Sequence, residues 1–464
     1  MRAINVERIR SGRRQPVSVF HQWLALVELQ PAVCVLILAF FAVQGAVPFI
    51  ANNQALEVNN APPSSLTFWG GIGCQVAIYT CICIFICSDY RLLIRWFAAM
   101  RWAAAIACLA VVSSGWSQFP AYTLRRAVPF ALAGLFGAHF ALKYSLRRQL
   151  SILWASMGLL ALATILLALF FPHYGLDVSA GHRGDWQGAF TSKNGCGRIM
   201  VLATAVVLSV KKRSVWRALS LVLFTFIVAM CGSRGAWVID AIVLGIYFGL
   251  RILTNTDKRS RVVLIVFSIA TGFVLASTIA VHYAEIAALL GRDATLTGRT
   301  WIWKQIWPFI LRRPILGWGY SGFWRGVHGE SFRVIAFVRF ILFHAHNGFL
   351  EILLELGGCG LLLFAASYFR GWRKLWPHLR RGEIRRVMPM LFMLVLIGLY
   401  DLDENTLLIY NGLFWVLYVA ALINIEMLAI EDRIAGEVAM RFHPANVPGG
   451  HAPTFSSHVR GALS

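Results

Sequence analysis

Apolar runs of about 20 residues recur along this chain, broken by short polar segments rich in arginine. A helix rises 1.5 Å per residue, so a run of that length crosses a hydrocarbon core of roughly 30 Å. The pattern predicts about twelve transmembrane helices, over 31–50, 67–88, 98–114, 128–143, 150–171, 195–210, 216–233, 236–250, 262–281, 348–369, 387–400 and 408–425. A β-barrel would instead show short segments of alternating polarity, and none is visible. The fold class is all-α polytopic membrane protein with one large loop. Its parts are an N-terminal segment 1–30, helices over 31–281, the loop 282–347, helices over 348–425 and a tail 426–464. From about Ala435 that tail is rich in Pro, Gly, His and Ser and reads as disordered.

Composition agrees with the pattern. Hydrophobic residues make up 58% and charged residues 14%, against about 25% charged in soluble domains. A net charge of +22 in a soluble protein would point to nucleic acid. Here the basic residues cluster in alternate short loops, which is a topology signal rather than a nucleic-acid footprint. One side collects Arg8, Arg10, Arg13 and Arg14, then Arg147 and Arg148, Lys211 to Arg213, Lys258 to Arg261, and Arg370 to Arg386. That side is the cytoplasm by the positive-inside rule, which puts both termini inside and the 282–347 loop outside. No cleavable leader is expected, because the first apolar run is long enough to stay as a span. Residues 51–66 read as a plain external loop, and the absence of an inverted repeat disfavours a secondary transporter. Nine cysteines lie in or beside apolar runs without any C-x-x-C, so buried thiols are the expectation rather than zinc or redox chemistry.

The 282–347 loop is the unusual part. Eight Lys/Arg stand against three acids, a net +5, and the loop ends in His344-Ala345-His346-Asn347 directly before a span. It reads as a structured lid that holds an anionic substrate at the membrane surface. Its stretch 300–311 is amphipathic, with Trp301, Trp303 and Trp307 expected as an interfacial aromatic belt. Outside the loop, basic residues on the outer side are few: Arg125, Arg126, Lys193, Arg198 and Arg234 near the ends of spans. A charge at membrane depth is costly unless paired or solvated. The bland account is a lipid headgroup or a carboxylate partner. The functional account is a cationic cavity for a diphosphate, because guanidinium forks bind phosphate oxygens bidentately and stay charged. No Asp-rich metal pair faces that cavity apart from Asp401, Asp403 and Glu404 near the end of the eleventh expected span, so arginines could take the place of the metal that usually stabilises a leaving diphosphate.

His344 and His346 lie two apart and do not share a helix face, which argues against a metal site. A histidine at a helix start is commonly a cap or a packing residue. Two of them beside Asn347, under a cationic loop, fit a base that takes a proton from a sugar hydroxyl, with His346 favoured. Glu351 and Glu355 share one face of the following span and, with Asp240, would serve a proton relay in a transporter, or a structural pairing near the cavity. Gly317-Trp318-Gly319-Tyr320-Ser321-Gly322 matches G-x-G-x-x-G but lacks a βαβ unit, so tight turns are the better account.

These motifs, in order, resemble the O-antigen ligase and polymerase superfamily. The resemblance rests on Trp116-Ser117 to Arg125-Arg126, Phe190 to Asn194, Ser233-Arg234-Gly235, Thr297 to Trp301, Pro314 to Gly319, His344 to Glu351 and Glu355-Leu356-Gly357. It covers about residues 100 to 410 and is strongest for the exopolysaccharide polymerase branch. It implies twelve helices in a GT-C-like arrangement with a large periplasmic loop, and a glycosyltransferase of the inner membrane. The implied reaction is an inverting, metal-independent and cofactor-free transfer of sugar from an undecaprenyl-diphosphate-linked donor to a saccharide acceptor. A chain-length regulator is a further implied partner, besides membrane lipids. By matching position, Arg234 and Arg299 would hold the diphosphate, with Arg126 and Lys193 beside them. His346, or His344, would be the base, supported by Asn347, Glu351 and Trp303. Polymerase and ligase, the latter using lipid A-core as acceptor, both remain open, with a membrane transporter of polysaccharide or anionic solute as the rival of another class.

Overall fold

The computed structural model describes residues 20–45, 65–177, 184–211, 214–256, 299–326, 328–338 and 342–441. The expected span 262–281, most of the loop 51–66, the loop segment 282–298 and the last 23 residues, 442–464, lie outside the described residues. Helices in chain order are α1 (Phe20–Ala42), α2 (Ser65–Ser88), α3 (Tyr90–Arg95), α4 (Phe97–Val112), α5 (Pro120–Lys143), α6 (Leu146–Phe170), α7 (Pro172–Gly175), α8 (Lys193–Ser209), α9 (Val215–Met230) and α10 (Arg234–Asn255). They continue with α11 (Arg299–Arg312), α12 (Ser331–Val338), α13 (Gly348–Arg380), α14 (Ile384–Asp403) and α15 (Leu413–Arg441). Each expected span except 262–281 overlaps one of these helices, with shifted ends: α1 covers 20–42 where 31–50 was expected, and residues 46–50 lie outside the described residues. Among the described residues, six helices are long and apolar enough to cross a membrane.

Lipid, rather than water, is what the surface of these helices asks for. On α6, Leu159, Leu162, Leu166 and Leu169 are exposed, and on α9 Val215, Leu219, Val222 and Phe226 form a similar stripe. Spacings of three and four put each set on one helix face. In water such faces would be contiguous apolar patches that soluble monomers avoid. The chain is a polytopic helical membrane protein.

The chain divides into two compact units. The first comprises residues up to 85, 147–249 and 409–413. Its centre is α8, buried at every position from Ile199 to Ser209. Ser192 caps α8 by accepting the Gly195 amide at 3.1 Å. At the other end, Arg217 of α9 reaches back to the carbonyls of Val207 at 3.0 Å and Leu208 at 3.2 Å, which satisfies acceptors that a helix end leaves open. Where the hydrophobic effect no longer drives helices together, such interhelical bonds and close packing hold them. The Trp154 indole donates to Ser220 Oγ at 3.0 Å and so ties α6 to α9 in the same way.

The second unit comprises 86–146, 250–408 and 414 onwards. Within it α4 packs on α5 and on α13, α13 packs on α14, and α11 packs on α13. Trp415 of α15 lies stacked on Phe130 of α5 with ring centres 4.3 Å apart, and its indole donates to the Phe130 carbonyl at 2.9 Å. Two helices run more than ten residues past the C-terminal ends of their expected spans. α13 continues past 369 to Arg380, and α15 continues past 425 to Arg441. The tail 426–464, expected to be disordered from about Ala435, is therefore helical as far as Arg441. Charge pairs anchor the start of this extension: Arg370 meets Glu426 at 2.9 Å, Arg386 meets Glu431 at 2.7 Å, and Arg381 and Arg386 meet Asp432 at 3.0 and 3.1 Å.

A break in α13 positions the site. Gly357 has φ +65° and ψ −164°, a region essentially reserved for glycine. The break frees backbone groups on both sides, and the segment 314–319 docks on them. Trp318 and Gly319 amides donate to the carbonyls of Leu354 and Glu355, both at 2.9 Å. The Gly358 and Cys359 amides donate to the carbonyls of Pro314 at 2.7 Å and Ile315 at 3.1 Å. Irregular backbone beside a membrane helix is tolerated only when satisfied by protein in this way.

Candidate active site

The site grows from a six-residue connection, Leu342 to Asn347, that enters α13. Asn347 caps α13 by accepting the Leu350 amide at 3.0 Å, and its side-chain amide donates to the Leu402 carbonyl at 3.2 Å. Ala345, between the two histidines, is held at both ends. Its amide donates to the buried Glu351 carboxylate at 2.6 Å, and its carbonyl accepts from the Trp303 indole at 3.0 Å. Trp303 thus turns inward, while Trp301 and Trp307 on the same helix are about half exposed. The belt expected of three tryptophans is a belt of two. The stretch 300–311 falls within the predicted amphipathic helix, α11, which buries Ile302, Ile306, Phe309 and Ile310.

Pinned in this way, His346 adopts φ +50°, a left-handed conformation that a residue with a side chain enters at a cost of about 1–2 kcal/mol. The turn brings the two imidazoles together, with ring centres 4.2 Å apart and planes tilted by 57°. The spacing argument against a shared site assumed a helix, and this segment is not helical. His344 Nδ1 accepts the His346 amide at 3.2 Å, so the proton of a neutral His344 sits on Nε2. His346 Nδ1 lies 3.2 Å from Glu404 Oε2. A carboxylate only accepts, so Nδ1 carries the hydrogen and Nε2 keeps its lone pair. His344 Nε2 is farther from the same oxygen, at 3.8 Å.

Arg299, the first residue of α11, closes the arrangement. Its guanidinium bonds the Asp403 carboxylate and carbonyl, and meets Glu404 Oε1 at 3.2 Å. Glu404 is therefore shared, one oxygen on Arg299 and the other on His346. Side-chain exposure is 29% for His346, 31% for His344, 16% for Arg299 and 11% for Glu404. A substrate can reach the imidazoles, while the carboxylate behind them is shielded. Asp401 builds the turn that presents Glu404, accepting from the Thr406 amide and hydroxyl, both at 2.8 Å. Gly348 lets α13 start against it, since a Cβ there would stand 2.3 Å from the Asp401 carboxylate.

Chemically the arrangement offers an oriented base beside a guanidinium. His344, His346 and Glu404 also present ligand atoms within 4.8 Å of one another, a group of a kind that can hold a metal ion. Glu404 is already engaged by Arg299, so a cation there would compete with a guanidinium for the same carboxylate.

The remaining expected residues fall elsewhere. Arg126 lies on α5 with its guanidinium 4.4 Å from the centre of the Tyr122 ring and within electrostatic reach of Glu355. Lys193 and Arg234 belong to the first unit. Lys193 pairs with Asp185 at 2.6 Å, the carboxylate partner foreseen as its bland account. Arg234 starts α10, preceded by Ser233, whose hydroxyl donates to Asn194 at 2.9 Å. Sequence reasoning weighed Asp403 and Glu404 only as a metal pair. The usable signal was an arginine and two acids expected at the same membrane depth, where opposite charges pair.

Comparison with known proteins bears on this arrangement. Residues 219–365, which include Arg234, Arg299 and both histidines, match a family described as O-antigen ligase. The chain is 26% identical over 358 residues to the exopolysaccharide production protein ExoQ of Rhizobium meliloti (strain 1021), covering 73% of this chain and 75% of that protein.

Proposed function

We propose, from the match of residues 219–365 and the likeness to ExoQ, that the chain is a member of the O-antigen ligase/ExoQ-like family of membrane proteins of polysaccharide biosynthesis and an inverting glycosyltransferase that polymerises lipid-linked oligosaccharide. In this reading the donor is an undecaprenyl-diphosphate-linked sugar, bound at the outer face of the inner membrane, and the chain crosses that membrane about twelve times with both termini inside.

The observation that carries the proposal is the Arg299–Glu404–His346 chain of contacts. His346 Nε2 takes the proton from an acceptor hydroxyl as the oxygen attacks the anomeric carbon. The bond from that carbon to the diphosphate oxygen breaks, and its electron pair leaves with the diphosphate. Glu404 holds the imidazole in the required tautomer and balances the imidazolium that forms. A guanidinium has five N–H donors, and Asp403 and Glu404 take up three hydrogen bonds from Arg299. The others remain for the leaving oxygens, where charge changes most during the reaction. Polymerase is preferred over ligase because the Phe190 to Asn194 stretch resembles the exopolysaccharide branch.

His346→Ala tests the assignment. Polymer should disappear from cells carrying this variant at normal protein level, since a general base contributes about 10²–10⁴-fold. Near-normal polymer would remove His346 from the mechanism.

A further inference from the structure

A second group of arginines lies in the same unit, on other elements. The guanidiniums of Arg325, Arg126 and Arg125 stand 3.4, 4.4 and 5.5 Å from the centre of one ring, that of Tyr122. Stacking on a tyrosine accounts for one cation comfortably. Three like charges on one small ring repel each other, and they sit near the N-terminal, positive end of α5, which adds to the same sign. Arg325 is fixed in place: its amide donates to Ser331 Oγ at 3.0 Å, and its guanidinium also lies 5.6 Å from the Phe119 ring. Its buried Nε has no hydrogen-bond partner, which is costly for a charged donor unless something arrives to accept from it. Beside the cluster, Leu124 and Val128 of α5 are exposed apolar side chains. A phosphate-bearing head joined to an apolar tail matches that combination.

We propose that Arg125, Arg126 and Arg325 around Tyr122 form a second anion subsite, which takes the diphosphate of the lipid-linked acceptor while the donor diphosphate sits at Arg299. This rests on the polymerase reading, in which both substrates carry a lipid diphosphate. The two centres are joined through α13. Arg126 acts electrostatically on Glu355, Glu351 holds the Ala345 amide, and those two acids are four residues, about one helical turn, apart. The acceptor's carrier would then be anchored a short distance from the base that activates its sugar.

The test counts diphosphates on the full-length protein in zwitterionic phosphatidylcholine nanodiscs titrated with undecaprenyl diphosphate. Wild type should bind two per chain, and Arg325→Ala and Arg299→Ala one each. Arg125 is exposed, so Arg125→Ala should fold normally and weaken one of the two sites about 10-fold, as expected for one lost charge-assisted contact. Two diphosphates on Arg325→Ala with unchanged affinities, or an unaltered Arg125→Ala, would overturn the subsite. If Arg325→Ala loses one and Arg299→Ala loses none, the subsite stands and the donor clamp falls. Repeating the wild-type titration in phosphatidylglycerol nanodiscs separates the sources. Retention of two supports a substrate diphosphate, and loss of the Arg325-dependent one identifies a phospholipid headgroup as occupant and overturns the proposal.

Discussion

Whether Glu404 orients His346 or merely neutralises Arg299 decides how the proposed base works. Its two oxygens divide between them, at 3.2 Å each. Glu404→Gln separates the roles, because a carboxamide retains an acceptor for either neighbour but loses the charge that balances an imidazolium. Turnover should fall by about 10²-fold or more, as when the acid behind a catalytic histidine is neutralised, with little change in the donor KM. An unchanged turnover would leave Glu404 as a structural counter-ion. The same carboxylate bears on the metal question. Glu404 is bonded to a guanidinium, so activity of purified protein should survive EDTA. Loss restored by added zinc or magnesium would assign His344, His346 and Glu404 to a metal instead. At this scale the sequence was partly legible. His346 stood out as an imidazole before a span under a cationic loop. The close approach of the two imidazoles did not, since it depends on a left-handed turn at His346 held by Glu351 and Trp303, which local spacing cannot express.

At the level of elements, the break in α13 is the feature that joins loop to membrane helix. The run from 348 looks continuous in hydropathy, and only the Gly357-Gly358 pair hints at a break. What fills the break, residues 314–319, lies some 40 residues away in the chain, a pairing no periodicity reports. Gly357→Ala should be destabilising by at least about 1–3 kcal/mol from backbone strain alone, with more from a Cβ that would stand 2.3 Å from the Ile315 carbonyl oxygen. The measurement is thermal unfolding of detergent-solubilised protein, with Gly436→Ala, which has nothing within 4 Å, as the silent control. Equal melting temperatures for the two variants would mean that the docked segment contributes nothing to stability. The long α15 shows the opposite limit. Its apolar part was legible, but the helix to Arg441 survives on acids paired with α13 and α14 residues, so composition alone misread it as disordered tail.

On the scale of the whole molecule, the apolar stripes on α6 and α9 and the basic bias of alternate loops were legible from hydropathy and charge, because lipid imposes them on sequence directly. The chemistry was not, since polymerase, ligase and transporter all need the same helices. They differ in what accumulates when the protein is missing, and that makes deletion followed by glycan analysis the discriminating experiment. A polymerase consumes single repeats, so its loss should leave single repeats on the lipid carrier and no long chains. A ligase consumes finished polymer, so its loss should strand long chains on the carrier. A transporter moves the repeat across the membrane, so its loss should leave repeats that an externally added glycosidase cannot reach in intact spheroplasts. The proposal expects single, externally accessible repeats, and the same result when the deletion carries His346→Ala on a plasmid. The plasmid arm matters most, because loss of a base in a polymerase leaves externally accessible single repeats, whereas loss of a proton-relay imidazole in a transporter leaves them out of reach of the glycosidase. If deletion gives that phenotype but His346→Ala restores polymer, the protein is required for the pathway while the Arg299–Glu404–His346 arrangement is not its catalytic centre.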